Sequence, residues 1–421
     1  MPDLKEARSY SGRRLIEFMI ALAVLVYFCD RIHALGTLAV VAAIALMIVL
    51  HELGHYLTAR MSGMKVTEFF VGFGPKIWSI KINGIEYGLK AVIVGGYVRI
   101  SGMTSVDEVP PEDEPRTYRE ASFPRRFLVS VAGSLMHFIM AFLILWVLVS
   151  GVGFAAGNGT VITSVARPKR FVTPAEAAGI PAGAVVLSSN GLKNPDLTSF
   201  ERQVASSVGK PLHLKLRVGS VVEYKTVVPV SSAVLAKYDP AYGAKHPYGV
   251  IGVGISATTV TDGLLSGAGH AVSGLGYYAW VSVSGLVSHF SPHGIATYVN
   301  EVVHPSSNPT SAKSRSRLVS PVGIVYLAND AVATGLQAVL ELLFLINVFV
   351  GVFNLFPFLP LDGGHVVIAI YERIRSRRGK PYHADVMKLM PVTYAVMAVI
   401  ILIGVTALYL DITHPVVNPF G

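Results

Sequence analysis

The sequence predicts a polytopic α-helical membrane protein with a β-hairpin associated with the membrane and one small β-rich domain outside it. Three observations predict this class. Of the 421 residues, 52% are hydrophobic and only 14% charged, where soluble domains run near 25% charged. Four apolar runs are long enough to cross a bilayer. Between the second and the third, the pattern changes to short β-rich runs separated by turn residues. An ordinary cytosolic enzyme, a disordered tail and a fibrous protein are excluded on the same grounds. Cys29 is the one cysteine, so this chain forms no internal disulfide and no cysteine-based zinc site. The formal net charge of +9 fits basic loops on one side of a membrane. No motif that reads DNA or RNA is present, so nucleic acid is not an expected partner.

A spanning helix takes roughly 20 mostly apolar residues. In chain order, Leu15–Phe28 is short for this and contains Glu17. It is read as a short span, with an interfacial helix as the alternative, and as an uncleaved anchor instead of a signal peptide, because Cys29-Asp30-Arg31 is not a small-residue cleavage site. The runs Ala34–Ala59, Phe127–Val152, Gly335–Phe358 and Val386–Leu410 have the length. Lys and Arg then set the sides. Lys5, Arg8, Arg13 and Arg14, the basic residues between Arg60 and Arg126, and Arg373, Arg375, Arg377, Arg378 and Lys380 are all placed inside the cell. With five spans, the N-terminus is inside, while Gly153 to about Thr334 and the C-terminus are outside. The expected location is the plasma membrane. The expected division is an N-terminal segment, 1–33; a first membrane part, 34–155; an outer domain, 156–255; a linker, 256–334, expected as amphipathic pieces on the outer membrane surface; and a second membrane part, 335–421.

Residues 66–100 alternate around Asn83-Gly84, a hairpin signal. Gly95 and Gly96 permit a bulge or a close backbone approach there. Asp107–Glu120 is acidic and proline-rich, hence a solvated loop. The outer domain has the β-rich runs VVLSSN, LHLKLRV and YKTVVPV and one helical run, Leu197–Val208. Its phrase PAEAAGIPAGAVVLSSNG resembles the core of a bacterial PDZ domain, with Ala184 where an Asp is usual and no recognisable carboxylate-binding loop.

The strongest chemical signal is His51-Glu52-Leu53-Gly54-His55. Two histidines at i and i+4 share one helical face and can share a metal, and Glu52 can act on its water. The bland alternative is a pair of interfacial histidines at a helix end. The motif ends an apolar run, however, and ionisable groups at membrane depth are expensive and usually functional. A hydrolytic zinc site takes three protein ligands. The candidate third is Asp362, after Asn354-Leu-Phe-Pro-Phe-Leu-Pro-Leu, where Pro357 and Pro360 break the helix and Gly363-Gly364 let the chain turn. Its alternative role is a helix N-cap.

Together, HELGH, VGFGPKIW…EYGLKAVIVGGYV, a PDZ-like insert and NLFPFLPLDGG resemble a site-2 protease, closest to the actinobacterial regulators of intramembrane proteolysis with one PDZ domain. The resemblance implies zinc on His51, His55 and Asp362, with Glu52 as general base. It implies substrate binding by Asn354 and by the hairpin with Gly95 and Gly96. It implies cleavage of single-pass membrane proteins within the lipid bilayer, namely anti-sigma factors and remnant signal peptides. The outer PDZ-like domain would filter or recruit them, and the active site would lie near the cytoplasmic side.

One segment departs from the family pattern A-G-P-x-x-N, reading Ala132-Gly133-Ser134-Leu135-Met136-His137. His137 is either an alternative ligand or a hydrogen-bonding substitute for Asn. His289 and His293 are also four apart, but Pro292 disfavours a helix and no Glu accompanies them, so they are read as loop histidines. His365 is placed at the cytoplasmic boundary. His33, His213, His246, His304 and His414 lack a partner at ligand spacing. Two rival classes are a metal-dependent transporter and a PDZ-bearing adaptor with a dead site. The first lacks repeated halves, and the second does not explain an intact Glu52 with three ligands.

Overall fold

The computed structural model describes residues 4–103, 107–168, 171–238, 247–305, 317–376 and 382–415. Arg377, Arg378, Lys380 and His246 lie outside the described residues. The chain divides into two compact units, Met1–Leu148 with Leu264–Gly421, and Val149–Gly263.

The first unit opens with helices α1 (Leu4–Arg31) and α2 (Leu35–Met61). Strands β1 (Val66–Ile82) and β2 (Ile85–Ile100) follow, then helix α3, Phe123–Val147. The second unit carries β3 (Phe154–Val165), β4 (Val185–Ser189), α4 (Leu197–Ser206), β5 (Leu212–Val218), β6 (Val221–Val227) and β7 (Val253–Val260). The chain then returns to the first unit with α5 (Leu264–His289), α6 (Pro292–Val303), α7 (Pro321–Thr334), α8 (Leu336–Asn354), α9 (Asp362–Arg375) and α10 (Met390–Thr413).

Among the described residues, four helices are long and apolar enough to cross a membrane: Leu35–Met61, Phe123–Val152, Leu336–Asn354 and Met387–Thr413. The run expected as a fifth span is not among these four. Its residues do form a helix, α1, but between Glu17 and Asp30 only residues 18–29 are uncharged. That stretch rises roughly 18 Å, short of a hydrocarbon core of about 30 Å. Residues 264–289 also differ from the expected surface pieces, forming one continuous helix that packs against α3 and α8.

Helix α2 buries Val40, Met47, His51, Gly54, His55 and Ala59, a set spaced along one face. Its upper part shares a core with Met140 of α3, Ala328 and Ala331 of α7, and Ala338, Leu342 and Leu343 of α8. Its end shares another with Val66, Ile85, Ile100, Tyr118 and Val129. The hairpin is therefore packed onto the end of α2 that carries the histidines. Its turn is as expected, with Asn83 at φ 50° and Gly84 at φ 81°. Glu68 to Val71 pair with Arg99 to Gly96 on one side and with Glu86 to Leu89 on the other, which doubles the hairpin into a small sheet. Tyr97 donates to Glu68 at 2.6 Å. Burial, and then this bond, push its phenol above the ordinary value.

In the second unit the strand order is β7-β3-β4-β5-β6. Leu212, Leu214 and Leu216 alternate onto one face of β5 and meet Phe200 of α4, Ile162, Val186 and Ile251 in a separate core. Asp196 caps α4, accepting from the Ser199 amide at 2.7 Å.

Candidate metal centre

His51 and His55 lie one turn apart near the end of α2, both buried. Asp362 is the first residue of α9, after the non-helical stretch 355–361. The structure brings these three together from positions more than 300 residues apart in the chain. His51 Nε2 and His55 Nε2 are 3.3 Å apart. Asp362 Oδ2 is 3.5 Å from the first and 3.3 Å from the second. Among the described residues, this is the one group of three His, Cys, Asp or Glu residues whose ligand atoms are close enough to hold a metal ion.

The donor set fits zinc. Bonds of about 2.0–2.1 Å at tetrahedral angles separate neighbouring ligand atoms by about 3.3–3.4 Å. His55 Nδ1 donates to the Val129 carbonyl at 2.8 Å, which leaves Nε2 of the neutral ring as an electron-pair donor. A carboxylate oxygen and an imidazole lone pair facing each other repel unless a cation or proton lies between them. The alternative for Asp362 was a helix cap. The capping position of α9 is Leu361, and no side chain caps there.

Glycines shape the site. A Cβ on Gly54 would stand 2.7 Å from the Ala132 carbonyl oxygen, so α2 and α3 cross closely only with glycine at that position of the motif. A Cβ on Gly133 would run into ring atoms of both His51 and His55. Gly133 is thus the floor under the two imidazoles, a role the sequence reading missed. The only signal for it was the family pattern in which it stands. Gly363 and Gly364 require a correction. Neither has a left-handed backbone; both sit in the first turn of α9. A side chain on Gly363 would strike the Leu355 and Phe356 carbonyls, and one on Gly364 would strike the Phe358–Leu359 backbone. They allow close packing of the non-helical stretch and do not turn the chain.

Glu52 lies on the hairpin side. A Cβ on Gly96 would come within 3.1 Å of its Cγ, so the bare backbone of β2 approaches the carboxylate side chain. A Cβ on Gly95 would meet the Phe73 ring at 2.6 Å. Asn354 is the last residue of α8, half-buried where the helix gives way to the stretch before Asp362.

His137 is outside the three-residue group. It is buried on α3 with its ring centroid 5.1 Å from that of His51. Its Nδ1 is 2.9 Å from Asn347 Oδ1. The Asn347 amide donates to the Leu343 carbonyl and to Met47 Sδ, so its oxygen accepts from His137. His289 and His293 are not loop residues as expected: His289 ends α5 and His293 stands in the first turn of α6, where Pro292 at the first helical position starts the helix instead of breaking it. His365 packs edge-on against Tyr118.

Comparison with known proteins identifies zinc metalloproteases among the relatives of this chain. The profile of peptidase family M50 matches residues 39–401. The chain is 31% identical over 413 residues to the zinc metalloprotease Rip1 of Mycolicibacterium smegmatis, covering 92% of this chain and 98% of the relative. It is 30% identical over 411 residues to zinc metalloprotease Rip1 of Mycobacterium tuberculosis, covering 91% and 98%. A putative zinc metalloprotease of Clostridium perfringens is 26% identical over 332 residues, covering 79% and 86%.

Proposed function

The chain belongs to peptidase family M50, the site-2 proteases, and on that premise we propose that its zinc centre cuts the transmembrane helices of single-pass membrane regulators. It is a multi-pass membrane zinc metalloendopeptidase. The observation that carries the finer reading is the convergence of His51, His55 and Asp362 beside Glu52 and the bare Gly96 backbone.

In this reading His51, His55 and Asp362 hold zinc. Bound there, zinc supplies a Lewis acid that polarises the scissile carbonyl and acidifies water. Glu52 takes a proton from the attacking water and returns it to the leaving nitrogen. A helical peptide bond is shielded by side chains and its carbonyl is hydrogen-bonded, so the substrate must be extended before attack. The outer edge of β2 near Gly96 offers main-chain groups to an extended strand, and Asn354 holds its other side. The basic loops put this end of the molecule at the cytoplasmic face and the PDZ-like unit outside. The substrates are anti-sigma factors and remnant signal peptides. Protein purified in detergent should contain one zinc and cleave a model membrane helix. Bound zinc without cleavage of any such helix would favour the transporter or adaptor classes.

For the PDZ-like unit, one observation favours recruitment over filtering. A cavity of about 520 Å³ is lined by α4 residues from Thr198 to Ala205 and by Tyr248–Val253 and Ile255, beside β7 at the end of its sheet. An extended peptide would pair with β7 there and rest its side chains on α4.

A further inference from the structure

Arg126 and Glu372 form a buried ion pair across 246 positions of chain, their side chains 9% and 5% exposed. Glu372 uses its second oxygen to accept the Ala384 amide at 2.6 Å. The Arg126 guanidinium lies over the Tyr118 ring at 5.9 Å, and the Tyr118 hydroxyl meets Ser130 Oγ at 2.7 Å. A buried ion pair is weak evidence for stability, since desolvating both charges offsets their attraction. Its use is directional: it fixes two elements in one relative placement.

The elements it joins are the ones that must be in register. Helix α3 presents Arg126, Val129 and Gly133 at spacings of three and four, along one face. Val129 orients His55, Gly133 supports both imidazoles and Arg126 reaches α9. Helix α9 carries Asp362 in its first turn and Glu372 ten residues on, roughly 15 Å along the axis. The stretch 355–361 is not helical, so α8 does not transmit a rigid placement to Asp362. We propose that the Arg126–Glu372 pair is a positioning contact that sets α9 against α3 and so holds Asp362 in register with His51 and His55. The proposal rests on reading those three residues as zinc ligands.

The test measures zinc affinity by competition with a chromogenic chelator, and thermal unfolding of the zinc-free protein, in full-length protein. Two variants are compared with wild type: Glu372→Gln, and the double substitution Arg126→Met with Glu372→Met. Groups hydrogen-bonded directly to metal ligands are typically worth roughly 10–100-fold in affinity; this pair acts through the helix from roughly 15 Å away, so the zinc Kd should rise by up to about tenfold in both. The zinc-free double variant should unfold near the wild-type temperature, because both charges leave together. If Glu372→Gln alone does not fold, with Arg126 left buried and unpaired, the double variant decides. An unchanged Kd in folded variants, or failure of the double variant to fold, assigns the pair to stability alone and overturns the proposal. Absence of zinc binding by wild type sinks the ligand reading instead, and is separately visible.

Discussion

His55 donates its Nδ1 proton to the Val129 carbonyl at 2.8 Å. This bond crosses from α2 to α3 and fixes which nitrogen faces Asp362. The three-residue group is thus oriented by a backbone carbonyl of a helix that lies outside it.

Glu52→Gln should abolish cleavage and retain zinc. The amide has the same shape and cannot accept a proton, and general-base catalysis is worth about 10²–10⁴-fold. Turnover of a model membrane helix and metal content are measured on the same preparation. Turnover near wild type would remove Glu52 from the base role.

Asp362→Ala should weaken zinc binding by more than the roughly 10–100-fold typical of an outer contact, because a ligand and its charge are both lost. Activity should fall with it. Unchanged zinc stoichiometry and affinity would show that Asp362 is no ligand.

Gly133→Ala should lose zinc although alanine is ordinarily the better helix former by about 1 kcal/mol. The added methyl occupies the space of the His51 and His55 rings. Metal analysis and thermal unfolding together are diagnostic. A variant with full zinc content and raised stability would mean the rings move aside freely.

His137→Asn should keep zinc stoichiometry, since His137 lies outside the ligand group and an Asn side chain still offers a donor to Asn347. Loss of the metal in a folded variant would return His137 to the list of ligands.

Excising residues 154–260 tests the role proposed for the second unit. Its ends are adjacent in the sheet, with Val260 paired to Phe154 and Thr259 to Ala155, so a short linker can rejoin the chain. Zinc should be unaffected. Recruitment, the reading the α4–β7 cavity favours, expects weaker cleavage of a helix with a short ectodomain. Unimpaired short-substrate cleavage with new acceptance of bulky ectodomains would establish the filter instead.

The sequence by itself determined the local parts of this protein. HELGH puts two imidazoles on one face because i, i+4 spacing on a helix is a geometric fact. The Asn83-Gly84 turn is legible because only certain residues take positive φ. The four long spans are legible because a bilayer demands an apolar length. Residues 18–29 mark the limit of that reading, for the charges at both ends leave an uncharged length of roughly 18 Å. What only the tertiary structure decided was which distant groups meet. That Asp362 joins the histidines, that Gly54 and Gly133 serve helix crossing and ring support, and that Gly363 and Gly364 are packing positions all depend on contacts between helices far apart in the chain. A glycine's missing side chain carries no label in sequence, because its meaning lies in the atom that would otherwise be struck. Arg126 and Glu372 were unreadable for the same reason: each is an ordinary charge near a helix end until the fold brings the two together and takes the water away.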